Sequence, residues 1–64
     1  MAHEFSLEQA KEKAHQAEII CLMMEAYPNK MDDSEIEAIA SLLSKLTGDV
    51  CAWLIEEQAS RSNA

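Results

Sequence analysis

The chain has 64 residues, of which twelve are acidic and five basic, and its formal net charge is −7. A chain this short is one domain at most. It buries only about 60% of its unfolded surface, so a disulfide, a metal or a partner subunit usually reinforces it. The acidic balance disfavours direct binding to nucleic acid or anionic membrane, because both require a basic face. The chain has only one glycine and one proline, the residues that most often form turns. It therefore has few positions at which strands could be connected, which argues against a sheet.

The first predicted element is a helix over about residues 6–26. Ser6 is a favourable N-cap, and Gln9 three positions later completes a capping box. Strong helix formers (glutamate, glutamine, alanine and lysine) fill the following turns. Pro28 ends the helix, because proline lacks a backbone donor and disfavours helical geometry at the preceding residue. Residues 1–5 are predicted to be a disordered leader.

The second predicted element is a helix over about residues 33–58, after a turn around Pro28. Asp32 or Asp33 is the expected N-cap, and Glu35 completes a capping box from Asp32. Acidic residues in the first turn also suit the positive end of the helix dipole. The chain therefore forms two helices joined by one turn, and the polar residues 60–64 are predicted to be a disordered tail.

Both helices carry apolar residues at alternating spacings of three and four, which is typical of a helix–helix seam. The predicted seam comprises Leu7, Ala10, Ala14, Ala17, Cys21, Met24, Ile36, Ile39, Leu43, Leu46, Val50 and Trp53. Small residues of the first helix face large ones of the second in an antiparallel pairing. The register passes through Gly48 without a skip, which favours a continuous second helix over a kink or break there. Residues 1–64 are thus predicted to form one all-α domain, an antiparallel helical hairpin.

Further apolar residues do not fit this seam and predict a second packing surface. Residues 19–24 are all apolar, and six residues sweep more than one helical turn, so one partner helix cannot cover them. The predicted dimer interface comprises Ile19, Ile20, Leu22, Met23, Leu42, Leu54 and Ile55. Two hairpins would then pack into an antiparallel four-helix bundle. The alternative is a monomer with single exposed hydrophobic residues.

Residues that could carry chemistry have simpler structural interpretations. Cys21 and Cys51 lie too far apart along the predicted hairpin for a disulfide, so we expect buried free thiols. His15 shares a helix face with Glu12 and Glu18, but the spacing matches no metal motif and predicts solvated side chains. We expect no catalytic site, no metal site and no cofactor.

In its architecture the predicted hairpin resembles the small helical-hairpin RNA-binding regulators of plasmid copy number. Those proteins are similarly short, turn near mid-chain and dimerise into four-helix bundles. The basic contacts that such regulators present to RNA are sparse here, with only Lys11, Lys13 and Lys30 on or near the first helix.

The functional prediction follows from these patterns. We expect a small, non-enzymatic interaction or regulatory protein that acts through a helical homodimer and a protein partner. The alternative is an RNA- or DNA-related regulator, either a helical-hairpin RNA binder or an acidic protein that imitates a nucleic acid. The N-terminus lacks the basic segment followed by an apolar segment that is typical of a signal peptide. The longest apolar run is far shorter than a membrane span. We therefore expect a cytoplasmic protein with no membrane association.

Overall fold

The computed structural model describes residues 5–62, which form two helices and the turn between them. Helix α1 spans Leu7–Ala26, and helix α2 spans Asp33–Ser62. The two helices pack against each other along a rod that measures 50 × 17 × 16 Å. Within the described residues there is no strand. The predicted all-α helical hairpin is therefore confirmed.

Each helix begins at a capping box, as the sequence predicts. At α1, the Ser6 hydroxyl accepts a hydrogen bond from the Gln9 backbone N–H at 3.1 Å. The Gln9 side-chain oxygen accepts one from the Ser6 N–H at 2.9 Å. At α2, Asp32 and Glu35 exchange the equivalent bonds at 2.9 and 3.0 Å. These side chains satisfy backbone donors that have no partner inside a helix, so local sequence sets both starting points.

Helix α1 ends at Ala26, and its C-cap Tyr27 directly precedes the only proline of the chain. Tyr27 leaves the helix with φ −64° and ψ 122°, an extended conformation, which the following Pro28 favours. Its N–H still donates to the carbonyl of Met24 at 3.3 Å. Residues 27–32 then reverse the chain, and the antiparallel register they set places Lys13 of α1 opposite Asp49 of α2, 3.1 Å apart.

Helix α2 is longer than the sequence predicts. It continues to Ser62 rather than to residue 58, so the prediction of a disordered tail is wrong for residues 60–62. An ion pair of 2.7 Å between Glu57 and Arg61, one turn apart, stabilises this last part of the helix. Arg61 also suits the negative end of the helix dipole. Residues 63–64 of the predicted tail and 1–4 of the predicted leader lie outside the described residues.

Helix α2 also passes through Gly48 without a break, as the apolar register predicts. A Cβ placed at Gly48 would meet nothing within 4 Å, and the backbone there has no positive φ. The neighbouring Thr47 hydroxyl donates to the carbonyl of Leu43 at 2.7 Å, which is a common way for threonine to satisfy its hydroxyl inside a helix. Nothing in the hairpin therefore requires glycine at this position.

Replacing Gly48 with alanine is expected to stabilise the protein by about 0.5–1 kcal/mol, because alanine restricts the unfolded chain and favours the helix. Urea unfolding followed by circular dichroism would measure the change. The reciprocal variant Ala52→Gly, at another exposed position of α2, should lose a similar amount. A destabilised Gly48→Ala would contradict the expectation and would place another molecule against that surface.

The hydrophobic core between the helices is thin. The buried residues among those described are Ala10, Ala17, Leu46 and Trp53, all members of the predicted seam. The half-buried members of the seam are Met24, Ile39, Leu43 and Val50. The exposed members are Leu7, Ala14, Cys21 and Ile36. For these last four, the prediction that the hairpin itself covers them is wrong, because two helices in contact shield only a narrow stripe of each other's surface.

Phe5, which lies just before α1, makes two contacts at the open end of the hairpin. The indole N–H of Trp53 donates to the backbone carbonyl of Phe5 at 3.0 Å. The ammonium group of Lys13 lies 4.9 Å from the centroid of the Phe5 ring, a distance suited to a cation–π interaction. Phe5, which the sequence places in a disordered leader, is thus held against α2.

Candidate interaction surfaces

The hairpin leaves an unusual amount of apolar surface open. The large apolar side chains that are at least 40% exposed are Leu7, Ile19, Leu22, Met23, Tyr27, Ile36, Leu42, Leu54 and Ile55. The accessible surface is 5116 Å² for 7.1 kDa, whereas compact monomers of this mass expose about 4,100 Å². The excess of about 1,000 Å² is close to the roughly 800 Å² that each partner contributes to a standard protein interface.

One side of the hairpin carries a shallow apolar channel, here called the long groove. Its middle is lined by Ala14, Ala17, Thr47, Val50, Cys51 and Leu54. Through Leu54 it continues to the open end, where its lining is Leu7, Trp53, Leu54, Glu57, Gln58, Arg61 and Ser62. Towards the turn, Ile36, Ala40 and Leu43 precede Thr47 at steps of four, three and four, so they share its helix face.

The other side carries a shorter apolar depression near the middle of the rod, here called the short groove. Its lining is His15, Gln16, Ile19, Ile20, Leu42 and Leu46. Further along α2 this face becomes charged, because Asp49 and Glu56 follow Leu42 at intervals of seven residues and therefore occupy the same face. The ion pair between Lys13 and Asp49 crosses between the helices there. The two sides thus differ in charge as well as in length.

The structure does not gather the interface residues predicted from the sequence onto one surface. Ile19, Ile20 and Leu42 line the short groove, whereas Leu54 lines the long groove. The remaining three, Leu22, Met23 and Ile55, line neither groove and are more than half exposed. Thr47 lines the long groove, although neither predicted surface includes it. The signal that could have found it is a second register of three and four in α2, which runs beside the predicted seam.

Ion pairs within the chain neutralise most of its cations. Lys11 lies 3.2 Å from Glu8, Lys13 pairs with Asp49, and Arg61 pairs with Glu57. Three of the five basic residues are therefore engaged by carboxylates of the same chain. The exposed pair of Lys11 with Glu8 adds little to stability, but together the three pairs leave few unpaired cations in residues 5–62 that could follow a phosphate backbone.

The candidate chemical residues are separate from one another. Cys21 and Cys51 are free and exposed, so the prediction that both thiols are buried is wrong, because the contact between the helices does not reach them. His15 pairs with Glu18 at 3.5 Å, and both side chains are about two-thirds exposed. In residues 5–62 no group of three or more histidine, cysteine, aspartate or glutamate side chains is placed to hold a metal ion.

The capping role of Asp32 perturbs its titration. The backbone N–H of Glu35 lowers the pKa of the Asp32 carboxyl below its ordinary value of 3.8, and the Ser34 hydroxyl lowers it further by donating at 2.8 Å. Both donors favour the ionised carboxylate. The ionised Asp32 carboxylate therefore stabilises the start of α2.

A lowered pKa in the folded state gives a stabilising contribution that is present above the ordinary pKa of 3.8. It is lost as the pH falls through the lowered folded value. We expect Asp32→Asn, which keeps a capping oxygen without the charge, to lose less stability than the native chain between neutral and strongly acidic pH. Urea midpoints at both pH values would measure this, with Glu12→Gln as the control. The expectation is wrong if Asp32→Asn and the native chain lose the same stability between neutral and strongly acidic pH.

One of the described helices, Asp33–Ser62, is long and apolar enough by length and composition to cross a membrane. This is weak support for a membrane span, because helices of soluble proteins pass the same test. Lys45 and Asp49 lie near the middle of this helix, and the side chain of Asp49 pairs with Lys13 of α1.

Comparison with known proteins gives this hairpin no relatives from which a function could be transferred. The chain matches no protein-family model, no curated protein and no solved structure.

Proposed function

We propose that this protein is a small, non-enzymatic interaction or regulatory module that works as a helical homodimer and binds a protein partner. The observation that supports the dimer is the 5116 Å² of accessible surface. Compared with the roughly 10,300 Å² of the unfolded chain, the single hairpin removes only about half, less than the ~60% usual for domains of this size. If two hairpins packed into a four-helix bundle, the contact between them would bury the additional surface.

The partner is proposed from charge. Each chain carries a formal charge of −7, and three of its five cations are paired internally, so a dimer presents a strongly acidic exterior. Such a surface attracts proteins with a basic face and repels nucleic acid. The acidic exterior also fits a protein that imitates a nucleic acid, in which case its partner is itself a nucleic-acid-binding protein.

We assign the apolar surface of α2 to the second hairpin and not to lipid. In a membrane span, Lys45 and Asp49 would each cost about 2.5–3.5 kcal/mol near the bilayer centre. In a bundle, both residues can stay at the water-exposed edge. We also propose that the protein is cytoplasmic, a compartment in which exposed thiols such as Cys21 and Cys51 stay reduced.

Gel filtration with light scattering tests the dimer. The expected species has twice the 7.1 kDa mass of the chain across the micromolar range. A species of monomer mass at high micromolar concentration would overturn the proposal. Because dimer formation stabilises the folded state by mass action, the melting temperature should also rise with protein concentration.

The partner is tested separately with the purified dimer as bait. One stoichiometric protein whose retention falls as salt rises is the expected result, because exposed charges are screened. A mobility shift of RNA or DNA at low salt would contradict the proposed class of partner.

A further inference from the structure

We propose that the two copies of this chain pack through the long groove, antiparallel to each other. The proposal rests on the homodimer proposed above, and it adds the face and the direction of packing. The occupant of the long groove is therefore a second copy of the same chain.

The first argument is the scarcity of charge along the middle of this face. On α2 the long groove, with the helix face that continues it towards the turn, presents Ile36, Ala40, Leu43, Thr47, Cys51, Leu54 and Gln58. On α1, Leu7, Ala14 and Cys21 recur at intervals of seven residues and share one face. None of these side chains is charged. The charged residues that line the groove, Glu57 and Arg61, lie at its open end and pair with each other at 2.7 Å. The exposed residues Lys11, Glu18 and Glu25 border the α1 face. A second hairpin seated on the middle of the groove can cover the uncharged side chains without removing an ion from water, which is a step that costs several kcal/mol per unpaired charge.

The opposite side does not offer this continuity. There the short groove is followed along α2 by Asp49 and Glu56, and Lys13 crosses to Asp49. The side chains of this ion pair are 27% and 29% exposed, so a partner seated on that side would have to desolvate both charges. A partner that packs on the short groove can therefore bury only a small area, whereas the long groove is large enough for a whole second hairpin to pack along it.

The second argument is size. The rod is 50 Å long and 17 Å wide, so one of its long sides has a projected area on the order of 850 Å². That area is close to the roughly 800 Å² that one partner buries in a standard interface. The long groove begins at Leu7 at the open end, and the same face of α2 continues beyond it to Ile36 near the turn. Alanines at positions 14 and 17 let a second hairpin approach closely, and Leu43 and Leu54 provide bulky side chains to fill the remaining space.

The direction of packing follows from the charges at the turn. The residues that make this end acidic are Asp32, Asp33, Glu35 and Glu37, and Lys30 is the nearest cation in sequence. Parallel packing would place two such ends side by side. Antiparallel packing separates them by nearly the 50 Å length of the rod, several times the Debye length of about 8 Å at physiological salt.

The two cysteines serve as native reporters of this interface. Cys51 lines the long groove, and Cys21 lies two turns beyond Ala14 on the same side of α1. Both thiols are exposed in the single hairpin. A second copy in the long groove would cover Cys21 and restrict access to Cys51, so their reaction with a thiol reagent should slow as the dimer forms.

The test compares two substitutions that each add one carboxylate to an exposed position of α1. Ala14→Glu places it in the long groove, and Gln16→Glu places it in the short groove. We expect Ala14→Glu to weaken dimerisation by about a hundredfold or more, because the charge becomes buried without a partner. Gln16→Glu should change it by less than about threefold, as an exposed charge does. Circular dichroism would check that both variants remain helical.

Alkylation by iodoacetamide, read by mass spectrometry, supplies the second measurement. The expected result is fast reaction of both thiols at concentrations where the chain is monomeric, slow reaction in the dimer, and fast reaction again in Ala14→Glu. Monomers at every concentration would overturn the homodimer itself. A dimer that Ala14→Glu leaves intact, or that Gln16→Glu or Leu22→Glu disrupts, would overturn the long groove as the interface and leave the homodimer standing.

The direction of packing is measured with a spin label on Asn29→Cys in a chain whose native cysteines are replaced by alanine. Antiparallel packing predicts a separation between the two labels close to the 50 Å rod length. A separation within roughly two helix diameters, about 20 Å, would indicate parallel packing and overturn the antiparallel part of the proposal.

Discussion

Replacing Trp53 with alanine is expected to remove a large part, or all, of the stability of the hairpin. Trp53 is only 9% exposed and is the largest of the buried side chains. Truncations of this kind cost about 3–5 kcal/mol, while a domain of this length has a total stability of roughly 3–10 kcal/mol. Far-ultraviolet circular dichroism would then show most of the helical signal lost at room temperature, or a greatly reduced urea midpoint.

The matched variant Trp53→Phe separates packing from hydrogen bonding. It keeps an aromatic ring but removes the indole N–H that donates to the carbonyl of Phe5 at 3.0 Å. The loss of that bond should cost about 1 kcal/mol, with a further cost for the smaller ring. All chains must be compared at one protein concentration, because a dimer's stability depends on it. A Trp53→Ala chain with the native urea midpoint would contradict the assigned core.

Replacing Leu46 with alanine is expected to cost about 2–5 kcal/mol, because it removes a buried side chain from a core too small to close over the cavity. Leu46 is 7% exposed and is the most buried large residue near the middle of α2. Urea unfolding would measure the loss. The substitution does not lower helix propensity, since alanine is the strongest helix former. The expected loss of stability therefore comes from tertiary packing.

The control for Leu46 is the same substitution at Leu22, which is 51% exposed. Leu22→Ala should cost well under about 1 kcal/mol, as most exposed substitutions do. An equal loss in both variants would mean that a second molecule buries Leu22. That result would favour the interface predicted from the sequence over the long groove, so this pair of variants tests the core and the dimer face together.

These expectations depend on the small number of buried residues. Two alanines, one leucine and one tryptophan are the buried apolar residues between α1 and α2 in the described chain. A single substitution therefore removes a large fraction of the packing free energy. In the proposed dimer the long groove adds a second apolar layer beside this core, and the stability of the fold then depends on protein concentration.

Local sequence is sufficient to predict where both helices start and where the first one ends. Ser6 with Gln9 and Asp32 with Glu35 form capping boxes over three residues, and Pro28 stops α1 through its immediate neighbour. Such hydrogen bonds and steric limits involve residues within one turn, so they can be inferred from the order of the amino acids. The seam was also partly predictable, since the four buried residues belong to its apolar register.

The flank of each helix that remains exposed depends on how the two helices pack against each other. The three-four register shows that a stripe is apolar, but it does not fix the rotation of one helix against the other. The register therefore predicts that Leu7 and Cys21 belong to the seam, although the hairpin leaves both exposed. The bond from Trp53 to Phe5 and the pair of Lys13 with Asp49 join residues that are distant in sequence. Their geometry depends on how both helices rotate and slide together, which no local pattern specifies.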